Sequence, residues 1–324
     1  MRLLLVELSR FRSRRAIALM LLAAALLAAI LAAATIWDTR PVSAQDMTNA
    51  QAQVDAETQR PGFQRDLDRC RKHPNQYIGR GATAEQCEEM MTPQVEWFIE
   101  RRPLSLANVQ RDTGLAVLMI VSALMIIVGA TFAGADWSSG SMSNQVLFEP
   151  RRVKVWLAKA AALFFGALVA SAVVVAAFWV ALYVTAEMRG ISTGSTVQEN
   201  IRWVAGRGVL LAAFGALGGY ALSMLMRHTV GTLAVLFAYA VGGEALTASL
   251  PISGAGRWSL SNNVFAWLFD GHSYYDNSIP CPRTTDMCDQ MAKMTLGEGV
   301  TYLGVLLLVV VALSMVFFRR RDIP

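Results

Sequence analysis

The stretch Ala16–Ile36, AIALMLLAAALLAAILAAATI, decides the kind of protein this is. It holds no charged residue, and as a helix it would span roughly 31 Å, the thickness of a bilayer's hydrocarbon core. Five more apolar runs follow, at 113–135, 160–186, 209–226, 230–250 and 299–318. In lipid a backbone must satisfy its own hydrogen bonds, so each run predicts a membrane-crossing helix. The composition agrees: 54% of the residues are hydrophobic and 16% are charged, against roughly 25% charged in soluble domains. The predicted fold class is an all-α polytopic membrane protein with six transmembrane helices.

Basic residues precede the first run, as they do in a signal peptide. The run is longer than the usual apolar core of about 7–15 residues, and the following ATIWDTR is a poor cleavage site, so a retained helix is expected. Orientation follows from the short connections. Arg10, Arg12, Arg14 and Arg15 precede the first helix, and Arg151, Arg152 and Lys154 follow the second. Arg227 and His228 follow the fourth, and Arg319, Arg320 and Arg321 open the tail 319–324. If the helices alternate, all four groups fall on one side, the cytoplasmic side by the positive-inside rule. Both termini are then cytoplasmic, and the net charge of +5 belongs to helix ends. No basic stripe with interleaved aromatics is present, which argues against a nucleic-acid partner.

Two segments fall on the opposite face. Residues 37–112 read as a small, mostly helical extracytoplasmic domain with helices in SAQDMTNAQAQVDAETQ, FQRDLDRCRK and TAEQCEEMM. Thr83 and Gln86 have capping-box spacing. Residues 251–298 carry RWSLSNNVFAWLFDG, whose Trp258, Phe265, Trp267 and Phe269 suit a membrane interface. The short loop 187–208 lies on the same side. All four cysteines sit in the two longer segments. Short loop closure favours the pairs Cys70–Cys87 and Cys281–Cys288 among the three pairings available.

Several chemistries find no support. None of the four lysines follows a glycine, so the chain lacks a phosphate-binding loop. His73, His228 and His272 are scattered and do not have zinc-protease spacing. GISTG, at 190–194, matches a nucleophile elbow as a string, but it follows a membrane helix where a strand is required. No catalytic residue and no metal site are expected, and the chain is not read as an enzyme by itself.

Between the second and third runs lies GADWSSGSMSNQVLFEPRRVKVWLAKAAAL, Gly134–Leu163. It is too ordered for a plain connector. Asp136 is placed to cap a short helix whose apolar contacts come from Trp137, Met142, Val146 and Leu147. Pro150 ends that helix, and Arg151 and Arg152 reach headgroups. Lys159 opens the next span with its stem buried and its amine in water. The insert 136–159 is either an interfacial loop or a docking surface for a soluble partner. Upstream, in LLLVELSRFRSRR, Leu4, Leu8 and Phe11 share one helical face.

These residues resemble the signature of the ABC type-2 permeases, the membrane subunits of ATP-binding-cassette exporters, especially actinobacterial ones. The matching positions are Asp136, Ser139-Gly140-Ser141, Val146-Leu147, Pro150 with Arg151-Arg152, and Lys159. In the family the acid is often Glu, and Thr is usual where Ser141 stands. The resemblance implies a coupling loop at 136–159 and an amphipathic elbow at 1–15. It also implies a segment at 251–298 that folds partly back into the membrane. It further implies a second permease copy, identical or related, and separate ATPase subunits that hold the ATP and Mg, with no cofactor in this chain. The location implied is a bacterial cytoplasmic membrane. Asp136, Trp137, Ser141, Met142, Val146, Leu147, Pro150, Arg151 and Arg152 would then form the coupling element.

Glu244, near the end of the fifth run, has two readings: it reaches the headgroups, or it lines the exit of a translocation path. Gly215 and Gly219 have small-xxx-small spacing, suited to close helix packing within the chain or to a dimer contact. The competing functional class is a non-transporting membrane scaffold or sensor whose 37–112 domain binds a ligand or a protein. An intramembrane hydrolase would need GISTG and His272 to meet.

Overall fold

The computed structural model describes residues 2–99, 101, 103–249, 252, 254–276, 279 and 290–320. In chain order, α1 (Arg2–Ser13) and α2 (Arg15–Asp38) are followed by the short helices α3 (Ala44–Thr58), α4 (Pro61–Lys72), α5 (Pro74–Tyr77) and α6 (Ala84–Met91). Then come α7 (Leu106–Arg111), α8 (Thr113–Ser138), α9 (Ser141–Phe148), α10 (Arg152–Met188), α11 (Ser195–Met226), α12 (Thr229–Phe237) and α13 (Gly243–Ser249). The described chain closes with α14 (Leu260–Phe269), the hairpin strands β1 (His272–Tyr275) and β2 (Met291–Met294), and α15 (Leu296–Arg320). Two compact units result: Met1–Ala32 with Leu106–Pro324, and Ala33–Ser105.

Six stretches among the described residues are helical, long and apolar enough to cross a membrane: Arg15–Asp38, Leu106–Ser138, Arg152–Met188, Ser195–Met226, Thr229–Ser249 and Leu296–Arg320. Their ends differ from the apolar runs in one systematic way. The third helix begins at Arg152, not 160, and the fourth at Ser195, not 209. The loop expected at 187–208 is therefore mostly helix. Charged residues such as Lys154, Glu199 and Arg202 end a lipid-matched run but do not stop a helix, because Lys, Glu and Arg are good helix formers. At 37 residues, α10 is about 55 Å long, well beyond the hydrocarbon core. The fifth span is two α-helices, α12 and α13, joined by a wider π turn over Ala238–Gly242.

The larger unit is organised around α8 and α11. Gly129 of α8 lies against the carbonyl of Ala216, and Gly219 of α11 lies against the carbonyl of Ile126. The small-residue spacing at Gly215 and Gly219 thus serves packing inside the chain. α1 lies on α10, where Gly166 leaves room for the ring of Phe11. On the expected apolar face of α1, Phe11 is buried and Leu4 and Leu8 are half-buried. Glu7 lies among them and is fully buried. By contrast, α12, α13 and α15 leave large apolar side chains open, including Val230, Phe237, Leu246, Leu308 and Val309. Such continuous apolar surface is unusual on a water-soluble monomer and is matched by lipid.

The Ala33–Ser105 unit has a core of Leu67, Cys70 and Cys87, with Phe63, Ile78 and Met91 packed on it. Thr83 and Gln86 form the expected capping box on α6. Ser43 and Asp46 form a second one on α3. The hydrogen bonds from Ser43, side chain first and then backbone, hold the Asp46 carboxyl below its ordinary value, with the Arg101 guanidinium adding to the effect. Cys70 and Cys87 are joined in a disulfide between α4 and α6, 17 residues apart. Cys281 and Cys288 lie outside the described residues. So small a core needs a covalent staple. Replacing Cys70 and Cys87 together by serine should lower this unit's stability by about 2–5 kcal/mol. Limited proteolysis should then cut within residues 44–91 and leave the membrane helices intact. Unchanged resistance of that segment would refute the staple.

Candidate functional site

The connection between α8 and α10 is built in three steps. Ser139 caps α8, Gly140 takes a left-handed conformation (φ 68°), and α9 starts at once. A side chain is strained in that conformation, which makes the glycine the hinge of the insert. α9 then runs for eight residues to Phe148, and Pro150 follows it. Its residues face in opposite directions. Met142 is 0% exposed, whereas Leu147 and Phe148 are 80% and 92% exposed. Ser141 and Val146 are half-buried, and Pro150 and Arg151 are exposed. Glu149 accepts a hydrogen bond from Lys154 Nζ at 2.8 Å. That bond, first among the causes, holds the Glu149 carboxyl below its ordinary value.

Asp136 does not cap α9. It lies in the last turn of α8, buried, where its carboxylate pairs with Arg14 and with Lys159. Nor does the Lys159 amine reach water. The side chain is fully buried, with Nζ 2.6 Å from Asp136 Oδ2 and 2.9 Å from Glu7 Oε2. The physical reason is α1. It covers this part of α10 and brings an acid with it, so the amine meets two carboxylates instead of solvent. A buried cation needs such partners, since an unpaired one would be expensive to desolvate. Arg14 also donates from Nη1 to the Phe132 carbonyl at 2.5 Å. The Arg14 guanidinium and the Lys159 amine lie 4.8 and 5.5 Å from the centre of the Phe132 ring. Glu7 Oε1 takes a hydrogen bond from Gln145 Nε2 of α9 at 2.5 Å and one from Arg10 at 3.3 Å.

A second set of contacts ties in the end of α15. Trp137 packs edge-on against Phe318, at 6.2 Å between ring centres, and lies under the Arg227 guanidinium at 4.7 Å. Arg152 donates to the carbonyls of Phe318 and Arg319 at 3.5 and 3.4 Å. Trp156 Nε1 donates to Ser314 Oγ at 3.1 Å, and Tyr220 OH to the Trp156 carbonyl at 3.1 Å. Arg14, Arg152, Arg227 and Arg319, one from each basic stretch, therefore meet at one end of the bundle.

Of the residues singled out from sequence, Asp136, Trp137, Met142 and Arg152 face into this end, while Leu147, Pro150 and Arg151 face out. Glu7 and Phe148 were missed. Glu7 carried a legible signal, an acid on the apolar stripe of an amphipathic helix, which demands a buried partner. Glu244 lies elsewhere. Its two oxygens accept from Ser259 Oγ at 2.8 Å and the Ser261 amide at 2.7 Å, so α13 supplies the acid that closes the first turn of α14. His272 sits in β1 with its ring 5.1 Å from that of Phe265, and burial lowers its pKa. Among the described residues no group of three or more His, Cys, Asp or Glu side chains is arranged to hold a metal ion.

Fold and site together define a polytopic helical membrane protein with a neutralised charge cluster behind an exposed two-faced helix. Comparison with protein-family models, with curated proteins and with solved structures gives no match to this chain.

Proposed function

We propose that this chain is the membrane subunit of an ATP-driven exporter of the ABC type-2 kind, with α9 as the element that engages a separate ATPase. The observation that carries this reading is the exposed pair Leu147 and Phe148, on a short helix whose opposite side is anchored by Met142. An adjacent leucine and phenylalanine held out by an anchored helix suit insertion into an apolar cleft. The meeting of four basic stretches at the same end supports a cytoplasmic placement of α9 under the positive-inside rule. On this reading both termini are cytoplasmic, and Ala33–Ser105 lies on the far side of a bacterial cytoplasmic membrane. A second permease copy completes the pathway, and ATP and Mg belong to the ATPase.

Burying a leucine side chain contributes about 1.5–3 kcal/mol relative to exposure, and a charge in its place adds a desolvation penalty. Leu147→Glu and Phe148→Glu should therefore release the ATPase, or leave it hydrolysing without transport, while the chain still inserts. Met142→Glu does not test this, because Met142 is buried in its own chain. Thr196→Glu, on the exposed first turn of α11, is the control. Pull-down of the co-expressed ATPase and transport in the same reconstituted vesicles give the answer. Wild-type recovery and transport in both glutamate variants would remove the main support for the exporter. They would favour a membrane scaffold that works through its Ala33–Ser105 unit.

A further inference from the structure

We propose that α1 is a lever that links α9 to the first membrane helix α2, with Glu7 as its load point and Arg14 as its pivot. The two oxygens of Glu7 serve different bodies: Oε1 takes Gln145 of α9, and Oε2 takes Lys159 of α10. Gln145 presents its amide nitrogen, the only end of that side chain able to bond a carboxylate. Among the described residues its own carbonyl oxygen is buried with no partner, so the side chain is tied through its amide nitrogen to Glu7. Displacing α9 therefore changes the bonding of Glu7 directly.

Arg14 is the one residue between α1 and α2. It is fixed to α8 twice, through the Asp136 carboxylate and the Phe132 carbonyl. α1 is thus held at its middle by an acid and at its end by a base, each in the same cluster. A pull on Glu7 turns α1 about Arg14, and α2 continues from that point. The buried face of α2 suits such a movement: after Ile17 it consists of Ala24, Ala28 and Ala32. A methyl-only face has no ridges to lift over a neighbour, so the helix can slide or tilt without repacking large side chains.

The linkage is a property of this chain, and only its use in export rests on the function proposed above. Coupling between two sites is reciprocal. Each end can therefore be perturbed and the other read, by amide hydrogen exchange on the full-length chain in nanodiscs without any ATPase. Gln145→Ala should raise exchange in α1 and in Arg15–Leu19 of α2 by about fivefold or more, the lower end of usual coupling. Glu7→Gln should raise exchange in Ser141–Phe148 to a similar degree. Exchange across α8, α10 and α11 should stay at wild-type rates in the Gln145→Ala chain. Wild-type exchange in α1 of that variant would overturn the lever. So would an equal rise in α8, α10 and α11, which marks general loosening. If Leu147→Glu leaves ATPase recovery untouched while this reciprocal exchange holds, the docking reading fails and the lever stands.

Discussion

Lys159→Met should lower the stability of the chain by about 3–5 kcal/mol, the usual loss when one partner of a buried ion pair is removed. Methionine nearly conserves the volume, so packing is not the cause. What changes is charge. Glu7 and Asp136 are both buried, and both point at the Lys159 amine. Without it, Asp136 keeps Arg14, but Glu7 keeps only the neutral Gln145 amide and the more distant, partly exposed Arg10. Two carboxylates then face each other across an apolar side chain. The double variant Glu7→Gln with Lys159→Met removes one charge of each sign and should recover a substantial part of the loss, since neutral groups can replace a buried pair at little net change. Lys159→Arg should not be neutral, because a planar guanidinium does not fit a site shaped for one amine. Thermal unfolding of the detergent-solubilised chain, followed by size-exclusion chromatography, measures all three. A Lys159→Met protein as stable as wild type would show that the amine does not hold this end together.

Gly219→Val should separate α8 from α11 and leave little folded protein. A side-chain carbon at Gly219 would overlap the Ile126 carbonyl, and one at Gly129 would overlap the Ala216 carbonyl. Backbone atoms cannot swing aside as side chains do. The helices must part, which exceeds the usual overpacking loss of about 1–3 kcal/mol. Neighbouring positions grade the effect. At Gly215 the obstacle is Ile126 Cγ1 at 2.9 Å, a side chain able to yield, so Gly215→Ala is milder. At Gly218 the nearest atom is Leu307 Cδ1 at 3.6 Å, an ordinary contact. Gly218→Ala should be neutral or stabilising by up to about 1 kcal/mol, because alanine is the better helix former. Yield and melting temperature of the three variants test this order. If Gly219→Val changed only the oligomeric state and left the melting temperature in place, the small-residue face would instead be a contact between copies.

The sequence by itself determined the six membrane-length helices. Length and absence of charge are local properties, and in lipid the backbone has no other way to satisfy its hydrogen bonds. It also carried the Thr83–Gln86 capping box and favoured the Cys70–Cys87 pair among the possible pairings, because the partners are three and 17 residues apart. The short helix between the second and third spans was legible from Pro150 and its apolar residues. Its facing was not. Met142, Val146, Leu147 and Phe148 surround an eight-residue helix, and hydropathy cannot say which of them a neighbouring helix will cover. Lys159 was misread for a related reason. Whether its amine meets water or a carboxylate depends on Glu7, 152 residues away in sequence and 2.9 Å away in space. The extra turns at the starts of α10 and α11 were hidden because charge marks where lipid ends, whereas helix continuity is decided by propensity and packing. Apolar length is written residue by residue along the chain. Charge pairing at the bundle's end depends on which surfaces meet, and only the packing of α1 against α8, α9 and α10 decides that.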